Sequence, residues 1–406
     1  MELFYVLLVL LVVTRLCAEI AQRFQQPPLA GELIGGILLG GLIAAFPEQL
    51  PTLAGLEDEP VFHAITDLAI FFLMLLAGIE LQPREIARAS GRAFWVAVAG
   101  FFLPLAIGLG IGWAFLPESP LKFPQALFIG TAMAITAIPV AVKALMEIGK
   151  LNSNAGRMII SAAIFDDVLS LLLLALLLAL IRTGGLPPAT ELVMLGVKIV
   201  GFFAIAIIFG LFVMPRLGRL LLRAKVEEFE LSALLATALA LSLLAESLEL
   251  HFILGAFLAG LFFSRRNTNK RVYDDVAKKI SGLTSGFLAP IFFASIGLSL
   301  EPSAVVHIPL FLTLLVLAAY FGKLLGAGGT ARLLGMNRRD SLLVGAAMSG
   351  RGAVELVLAG IALRAGLFDS PTPTPAIVDN LFSAVVIVAI VTTLAMPITL
   401  RAIAGK

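Results

Sequence analysis

The chain of 406 residues alternates long apolar stretches with short polar connections. A helix needs about 20 predominantly apolar residues to cross the hydrocarbon core of a bilayer, and thirteen stretches come close to that length. We number them in chain order as spans 1 to 13: residues 2–22, 29–46, 64–81, 93–116, 124–147, 155–181, 190–214, 229–247, 251–264, 281–299, 305–332, 341–364 and 377–401. This pattern predicts an all-α, polytopic membrane protein whose environment is the lipid bilayer.

The composition excludes most other classes of protein. Hydrophobic residues make up 60% of the chain and charged residues only 14%, against about 25% in soluble domains. This scarcity of polar surface excludes a conventional soluble enzyme, a disordered chain and a nucleic-acid-binding protein. The single cysteine, Cys17, excludes an intramolecular disulfide, and the three histidines are too dispersed for a metal site. We therefore expect no enzymatic activity, no cofactor and no nucleic-acid partner.

Basic side chains next to the spans predict the orientation, because cytoplasmic loops are enriched in Lys and Arg. When the connections are assigned to alternate sides, 22 of the 29 Lys and Arg residues fall on one side, three on the other and four within spans. This split predicts an N-terminus outside and a C-terminus in the cytoplasm. No basic segment precedes span 1, so we expect a retained span and not a cleaved signal peptide.

An internal repeat links each span to the one seven places later. The segment 31–36 of span 2 is echoed by 255–260 of span 9, 78–83 of span 3 by 297–302 of span 10, and 129–133 of span 5 by 344–348 of span 12. Because seven is odd, the two copies enter the membrane from opposite sides, as in many secondary transporters. We expect one transporter domain over 1–406, with inverted repeats over about 2–181 and 229–401, a linker helix at 190–214 and no soluble regulatory domain.

Two adjacent carboxylates, Asp166 and Asp167, lie in the middle of span 6. Ionisable side chains at this depth are costly and are functional candidates. Successive helical residues point about 100° apart, so one carboxylate can line a water-filled cavity while the other pairs with a cation on another helix. Lys323 of span 11 is the candidate cation. Two simpler interpretations stay open: a purely structural set of charges, and a lysine that reaches an interface.

Spans 5 and 12 carry helix-breaking residues at corresponding places in the two repeats. Span 5 contains Pro139, which lacks the amide that would bond the carbonyl four residues back, and span 12 contains the Ser-Gly-Arg-Gly segment 349–352. Paired interruptions of this kind point to a transporter binding site. We expect the half-helix ends to leave carbonyls that serve as ligands for a hard cation. Kinks without a function are the simpler alternative.

Other charged residues in the spans receive weaker assignments. Arg351 and Glu355, four residues apart in span 12, are expected to pair and chiefly to hold the broken helix in shape. Glu32 and Asp67 are expected at interfaces or at the mouth of a cavity. Lys198 of span 7 has no partner that the sequence reveals, and we leave it unassigned.

Together these motifs resemble the monovalent cation/proton antiporter family, in its bacterial two-aspartate sodium/proton branch. The resemblance covers nearly the whole chain and is carried by the segments 27–35, 136–139, 163–169 with its two aspartates, 322–326 with its lysine, and 349–355. The double aspartate with the span 11 lysine is its more specific part.

The resemblance implies a fold and roles for the site residues. It implies the sodium/proton antiporter fold, with spans 5 and 12 crossing beside span 6, a homodimer with a mobile core, an elevator-like mechanism, a bacterial inner-membrane location and a part in pH homeostasis. By the same analogy Asp167 is the main carrier of the monovalent cation and the proton, and Asp166 is the partner of Lys323. Oxygens of Thr131 and Thr136 would help to hold the cation.

One departure from the family pattern leaves the choice of ion open. Many sodium-type members carry an acid two residues after the arginine, where this chain has Ala353, and its acid is Glu355. The latter spacing also resembles potassium-type relatives. The nucleotide-binding tail of the glutathione-gated relatives is absent from this sequence, so we expect no gating of that kind.

The sequence therefore favours a secondary active transporter that exchanges sodium or lithium for protons, with cation and protons competing at Asp167. Electrogenic exchange follows if the pair of Asp166 and Lys323 opens during the cycle. Potassium/proton exchange is the main alternative, and a sodium-coupled organic-solute symporter is a weaker one. An intramembrane aspartyl protease is the least favoured alternative, because its two aspartates must face each other across a shared proton and adjacent helical residues cannot do so.

Overall fold

The computed structural model describes residues 2–54, 56, 59–80, 91–151, 153–182, 189–216, 228–263 and 270–405. Every regular element in these ranges is helical. The α-helices are α1 Glu2–Arg23, α2 Pro28–Ala45, α3 Pro51–Ala54, α4 Pro60–Glu80, α5 Gly91–Phe115, α6 Lys122–Ala134, α7 Ile138–Glu147, α8 Asn154–Arg182, α9 Ala189–Ile208, α10 Phe229–Ser247, α11 Phe252–Phe262, α12 Lys270–Leu283, α13 Ala289–Leu298, α14 Ala304–His307, α15 Pro309–Lys323, α16 Thr330–Leu333, α17 Arg338–Ala347, α18 Ala353–Arg364, α19 Ala376–Asp379 and α20 Leu381–Ala404.

Each of the thirteen predicted spans corresponds to helical structure. In the described part of the chain, ten helices are long and apolar enough to cross a membrane. The other three spans are span 9, whose helix α11 is shorter, and spans 5 and 12, which are each divided into two half-helices. Spans 7, 10 and 11 continue through π-helical turns at Phe209–Val213, Thr284–Leu288 and Leu324–Gly329.

Span 10 begins earlier in the structure than its apolar run predicts. Its helix starts at Lys270, well before the predicted position 281. The added segment is rich in charge, but Tyr273, Val276 and Ile280 recur at helical spacing and are buried. An amphipathic helix of this kind is missed by a search for continuous apolar residues, because only one of its faces is apolar.

The chain divides into two compact units. Unit 1 comprises Met1–Leu11, Phe46–Ala87 and Pro187–Ser295, and unit 2 comprises Val12–Ala45, Arg88–Leu186 and Ile296–Lys406. All of the candidate site residues named above belong to unit 2. Its buried core includes small and branched side chains from spans 4, 5, 6, 11 and 12, among them Ala97, Leu145, Ile159, Ala327 and Leu343.

Within unit 1, spans 3 and 9 touch backbone to backbone. A Cβ atom added at Gly78 would lie 2.1 Å from the carbonyl oxygen of Phe257 and 2.8 Å from the amide of Leu261. A Cβ atom at Gly260 would lie 2.2 Å from the carbonyl oxygen of Leu75. Small residues at such contacts let membrane helices pack closely.

Within unit 2, spans 10 and 2, which are the repeat counterparts of spans 3 and 9, make the matching contact. A Cβ atom added at Gly297 of span 10 would lie 2.5 Å from the carbonyl oxygen of Leu33 and 2.9 Å from the amide of Ile37 in span 2. In the sequence repeat Gly297 corresponds to Gly78, and positions 33 and 37 correspond to 257 and 261. Each repeat therefore inserts its glycine between the same two positions of the other repeat, which is the packing that a pseudo-twofold relation produces.

Candidate ion-binding site

Span 5 is interrupted in the middle of the membrane-spanning stretch. Helix α6 ends at Ala134, residues 135–137 are extended, and α7 begins at Ile138 with a proline in its first turn. A helix that continued through this point would need an amide at Pro139 to bond the carbonyl of Ile135. The carbonyl of Ile135 is therefore left to another donor.

Span 12 is interrupted at the corresponding place. Helix α17 ends at Ala347, and α18 begins after Gly352, which has an extended backbone with φ −164° and ψ −158°. This conformation is open to any residue, so the requirement for glycine comes from packing. A Cβ atom at Gly352 would lie 2.5 Å from the Cβ atom of Ala137, in the break of span 5.

The two breaks are joined by hydrogen bonds where they cross. The amide of Ala137 donates to the carbonyl of Gly350 at 2.9 Å. The hydroxyl of Thr136 donates to the carbonyl of Met348, also at 2.9 Å. From span 13, the hydroxyl of Thr393 donates to the carbonyl of Arg351 at 3.1 Å. Carbonyls exposed by the break of span 12 are thus bound by donors from spans 5 and 13.

Arg351 occupies the carbonyl end of the half-helix α6. Its fully buried guanidinium donates from Nη1 to the carbonyls of Ala132, at 2.7 Å, and Ile135, and from Nη2 to the carbonyl of Met133 at 2.6 Å. A cation is favourable at the C-terminal end of a helix because the last carbonyls carry partial negative charge. These three carbonyls are the group that we expected to be free for a transported cation, and in this structure an arginine binds them.

Span 6 and span 11 are joined by a buried ion pair. The Nζ atom of Lys323 donates to both carboxylate oxygens of Asp166, at 2.9 Å and 3.1 Å, and neither side chain is exposed. Lys323 is the last residue of α15, directly before the π-helical turn at Leu324–Gly329. The structure therefore places these two predicted site residues in direct contact, although 157 positions separate them in the chain.

Glu355 lies in the first turn of α18, four positions after Arg351 in the break. Its Oε2 atom is 3.7 Å from the Nε atom of Arg351, and both side chains are fully buried. Within the described residues, the two carboxylate oxygens of Glu355 have no hydrogen-bond partner, and the Nε atom of Arg351 has none either. Because Arg351 precedes the helix, the pair spans the break and does not lie on one helical face.

The threonines and the second aspartate complete the predicted set. Thr131 is buried in α6 and donates its hydroxyl to the carbonyl of Leu127 at 2.6 Å, while Thr136 bonds across the crossing. Both hydroxyl oxygens keep lone pairs for a cation or for a donor. Asp167 belongs to α8, but its side chain lies outside the described part of the structure, so its distances to these groups are not defined.

The structure also describes three further charged residues of the spans. Glu32 is buried in span 2 and accepts from Nη1 of Arg15 at 3.1 Å, while Asp67 of span 3 is exposed. Lys198, which the sequence left unassigned, pairs with Glu249 at 2.5 Å. Glu249 follows span 8 and is separated from Lys198 by 51 positions, so no local spacing rule could have revealed the pair.

The chain is similar in sequence to a family of known proteins. The family profile described as "Sodium/hydrogen exchanger, transmembrane" matches residues 7–406. The chain is 29% identical over 400 residues to the Na(+)/H(+)-K(+) antiporter GerN of Bacillus cereus, covering 98% of this chain and 96% of the relative. It is 31% identical over 434 residues to the high-affinity Na(+)/H(+) antiporter NhaS3 of Synechocystis, covering 98% of this chain and 88% of the relative.

The fold is shared with a solved antiporter. The structure of the sodium proton antiporter MjNhaP1 from Methanocaldococcus jannaschii matches with a TM-score of 0.74 at 19% sequence identity, covering 100% of this chain and 99% of that chain. This match confirms the predicted all-α antiporter fold. The family profile spans nearly the whole chain, and the relatives align along almost all of it. The chain therefore belongs to the sodium/hydrogen exchanger family of multi-pass membrane antiporters.

Proposed function

We propose that this antiporter exchanges sodium, or lithium, for protons by alternating access, with the cation and protons competing for Asp167. The observation that carries the proposal is the buried pair of Asp166 and Lys323 in the unit that also contains the crossed breaks. Buried ion pairs contribute little to stability, because the cost of desolvating the two charges offsets much of their Coulomb attraction. A pair retained inside an apolar unit is better explained by a role in transport.

Asp167 is assigned as the carrier because of its place beside Asp166. The two residues are successive positions of helix α8. Because Asp166 is already bound to Lys323, Asp167 is the carboxyl group that we assign to the transported cation and proton. A single carboxylate binds either a proton or a cation, and exchange follows if only occupied forms cross the membrane. Oxygens of Thr131 and Thr136 are proposed to contribute ligands to the bound cation.

The pair of Asp166 and Lys323 is proposed to take part in proton movement together with Asp167. If the pair of Asp166 and Lys323 opens in each cycle, a second proton accompanies the first. Two protons then exchange for one sodium ion, and the exchange is electrogenic.

Potassium/proton exchange by the same residues is the second candidate. Two observations favour it: the acid of span 12 is Glu355, four residues after the arginine, and the name of the similar GerN antiporter includes potassium. Since both ions would use the same carboxylates, a direct comparison of the two cations separates the candidates.

We also propose an orientation, a membrane location and an oligomeric state for the protein. The excess of basic residues on alternate connections supports an N-terminus outside and a cytoplasmic C-terminus, which the accessibility of terminal tags in oriented vesicles checks. Location in a bacterial inner membrane, a homodimer, an elevator-like displacement of the site and a role in pH homeostasis are taken from the family resemblance. Cross-linking in membranes tests the dimer.

Dye-loaded proteoliposomes with an imposed pH gradient test the proposed exchange. Addition of sodium or lithium to the wild type is expected to dissipate the gradient, and potassium less so. Asp167→Asn is expected to abolish the response, while Lys323→Gln and Asp166→Asn lower its rate or change its pH dependence. Glu249→Gln, in the pair with Lys198 in unit 1, is the matched control and is expected to keep wild-type rates.

Three results would count against the proposal. Asp167→Asn vesicles that respond at the wild-type rate would remove Asp167 from the mechanism. A stronger response to potassium than to sodium would favour the second candidate. Sodium movement without proton movement would point to a sodium-coupled symporter.

A further inference from the structure

Glu355 is a buried carboxyl group that the proposed exchange does not use. It is fully buried in the first turn of α18, and within the described part of the chain its two oxygens receive no hydrogen bond. Buried polar side chains nearly always have a partner, so each exception calls for an explanation. A proton on the carboxyl group, or a partner that reaches it in another state, would supply one.

The ion pair with Arg351 is too loose to hold this carboxylate in its charged form. The nearest guanidinium atom, Nε, is 3.7 Å away, and the two Nη atoms donate to carbonyls of α6. The positive end of α18 favours a negative charge at Glu355, but this effect of a helix end is modest. Burying a carboxylate without hydrogen-bond donors costs more free energy than the end of a helix contributes.

The other charged groups around Glu355 are already engaged. Lys323 of span 11 is within electrostatic range and is bonded to Asp166 of span 6. The guanidinium of Arg351 is bound by carbonyls at the end of α6. The parts of α6 and span 13 beside the breaks supply Thr131, Thr393 and backbone carbonyls, which are not charged. The side chain of Asp167 lies outside the described part.

We propose that Glu355 is a positioning residue whose proton sets the place of Arg351. With the proton bound, as the geometry here indicates, Arg351 caps the carbonyls of α6. When the O–H bond breaks and water on the open side takes the proton, the carboxylate draws the guanidinium from those carbonyls toward itself. The Nε atom of Arg351 already faces the carboxyl group without a hydrogen bond of its own, so the movement needed is a side-chain rotation.

This movement would couple protonation to the crossing of spans 5 and 12. Release of Arg351 frees carbonyls at the end of α6, near the threonines that are proposed to hold the cation. The step adds a proton-dependent event to the exchange without a further cation site. Its consequence for transport rests on the proposed sodium/proton exchange, whereas the proton on Glu355 is a property of the folded protein alone.

Infrared spectroscopy of the reconstituted protein tests the proton directly. The carbonyl-stretch band of a protonated carboxylic acid is expected in the wild type and is expected to lose intensity in Glu355→Gln. Glu249→Gln, which removes an exposed carboxylate, is the matched control and should leave the band unchanged. An unaltered band in folded Glu355→Gln protein would overturn the proposal. If that variant does not fold, a shift of the band in Glu355→Asp is the expected result, and an unshifted band overturns the proposal instead.

The pH dependence of the sodium KM separates positioning from a merely structural role. Glu355→Gln is expected to keep exchange but to reduce the slope of log KM against pH, by up to one proton, and Glu355→Asp is expected to restore the slope. A lower rate with the wild-type slope would assign Glu355 a structural role and overturn the proposal. If the wild type shows no sodium/proton exchange, the proposed function fails, while the infrared result still decides the protonation of Glu355.

Discussion

At the residue scale, the contact between Gly352 and Ala137 sets how closely the two broken spans approach. Both positions lie in extended backbone, and a Cβ atom added to the glycine would come within 2.5 Å of the alanine Cβ atom. The hydrogen bonds from Ala137 and Thr136 to span 12 need this separation. The small size of these residues, and not their backbone freedom, therefore allows the crossing.

Replacement of Gly352 by alanine is expected to push the two breaks apart. Overpacking of a tightly packed site costs about 1–3 kcal/mol, so Gly352→Ala should lower the melting temperature in detergent and slow transport. Gly41→Ala, whose added Cβ atom meets no atom within 4 Å, is the control and should behave like the wild type. Ala137→Gly in the Gly352→Ala background should recover most of the loss, since the two positions contact each other. Absence of any recovery would contradict the steric explanation.

At the element scale, the inverted repeats appear as two equivalent helix contacts. Span 3 packs on span 9 within unit 1, and span 10 packs on span 2 within unit 2, with a glycine between corresponding backbone atoms in each case. The same repeat relation places the break of span 5 in correspondence with the break of span 12. The two breaks are not equivalent in their side chains, because Arg351 of span 12 binds the carbonyl end of the half-helix α6 of span 5.

Alanine at either repeat glycine is expected to destabilise the protein. The added Cβ atom would lie 2.1 Å from a carbonyl oxygen at Gly78 and 2.5 Å from one at Gly297, so backbone must shift in both variants. We expect each substitution to cost about 1–3 kcal/mol and to lower the melting temperature. Gly110→Ala, which meets no atom within 4 Å, is the control within a span. A loss in one variant and none in the other would argue against equivalent contacts.

At the scale of the whole molecule, the proposed exchange moves net charge across the membrane. Ionisable side chains of both kinds are fully buried within the spans of unit 2: the acids Asp166 and Glu355 and the bases Lys323 and Arg351. Opening of the pair of Asp166 and Lys323 in each cycle would release a proton beyond the one carried by Asp167. The exchange of two protons for one sodium ion transfers one positive charge per cycle in the direction of the protons.

Electrogenic exchange predicts a response to membrane potential. With protons entering and sodium leaving, a potential that is negative inside the vesicle should accelerate sodium efflux, because one positive charge moves inward per cycle. Sodium efflux from proteoliposomes with and without an imposed potential measures this. Equal rates in the two conditions would refute the electrogenic part and leave electroneutral exchange. Glu249→Gln should keep the wild-type dependence.

Much of the architecture and part of the candidate site could be predicted from local features of the sequence. Apolar runs of fixed length predicted the spans, and proline or glycine within corresponding runs predicted the breaks at 135–137 and 348–352. The amphipathic start of span 10 at Lys270 was missed, because only one of its faces is apolar. Ionisable residues in apolar runs identified Asp166 and Lys323, whose contact the structure shows.

The sequence by itself therefore determined the class of protein, the membrane-spanning segments, their interruptions and the residues too costly to bury without a purpose. Each of these follows from properties of a short stretch of chain: its length, its polarity and its backbone donors. The tertiary structure decided which groups meet. Arg351 binds the carbonyls of α6, Lys198 pairs with Glu249, and Glu355 has no hydrogen-bond donor among the described residues. These outcomes depend on how distant helices pack, which local sequence does not specify.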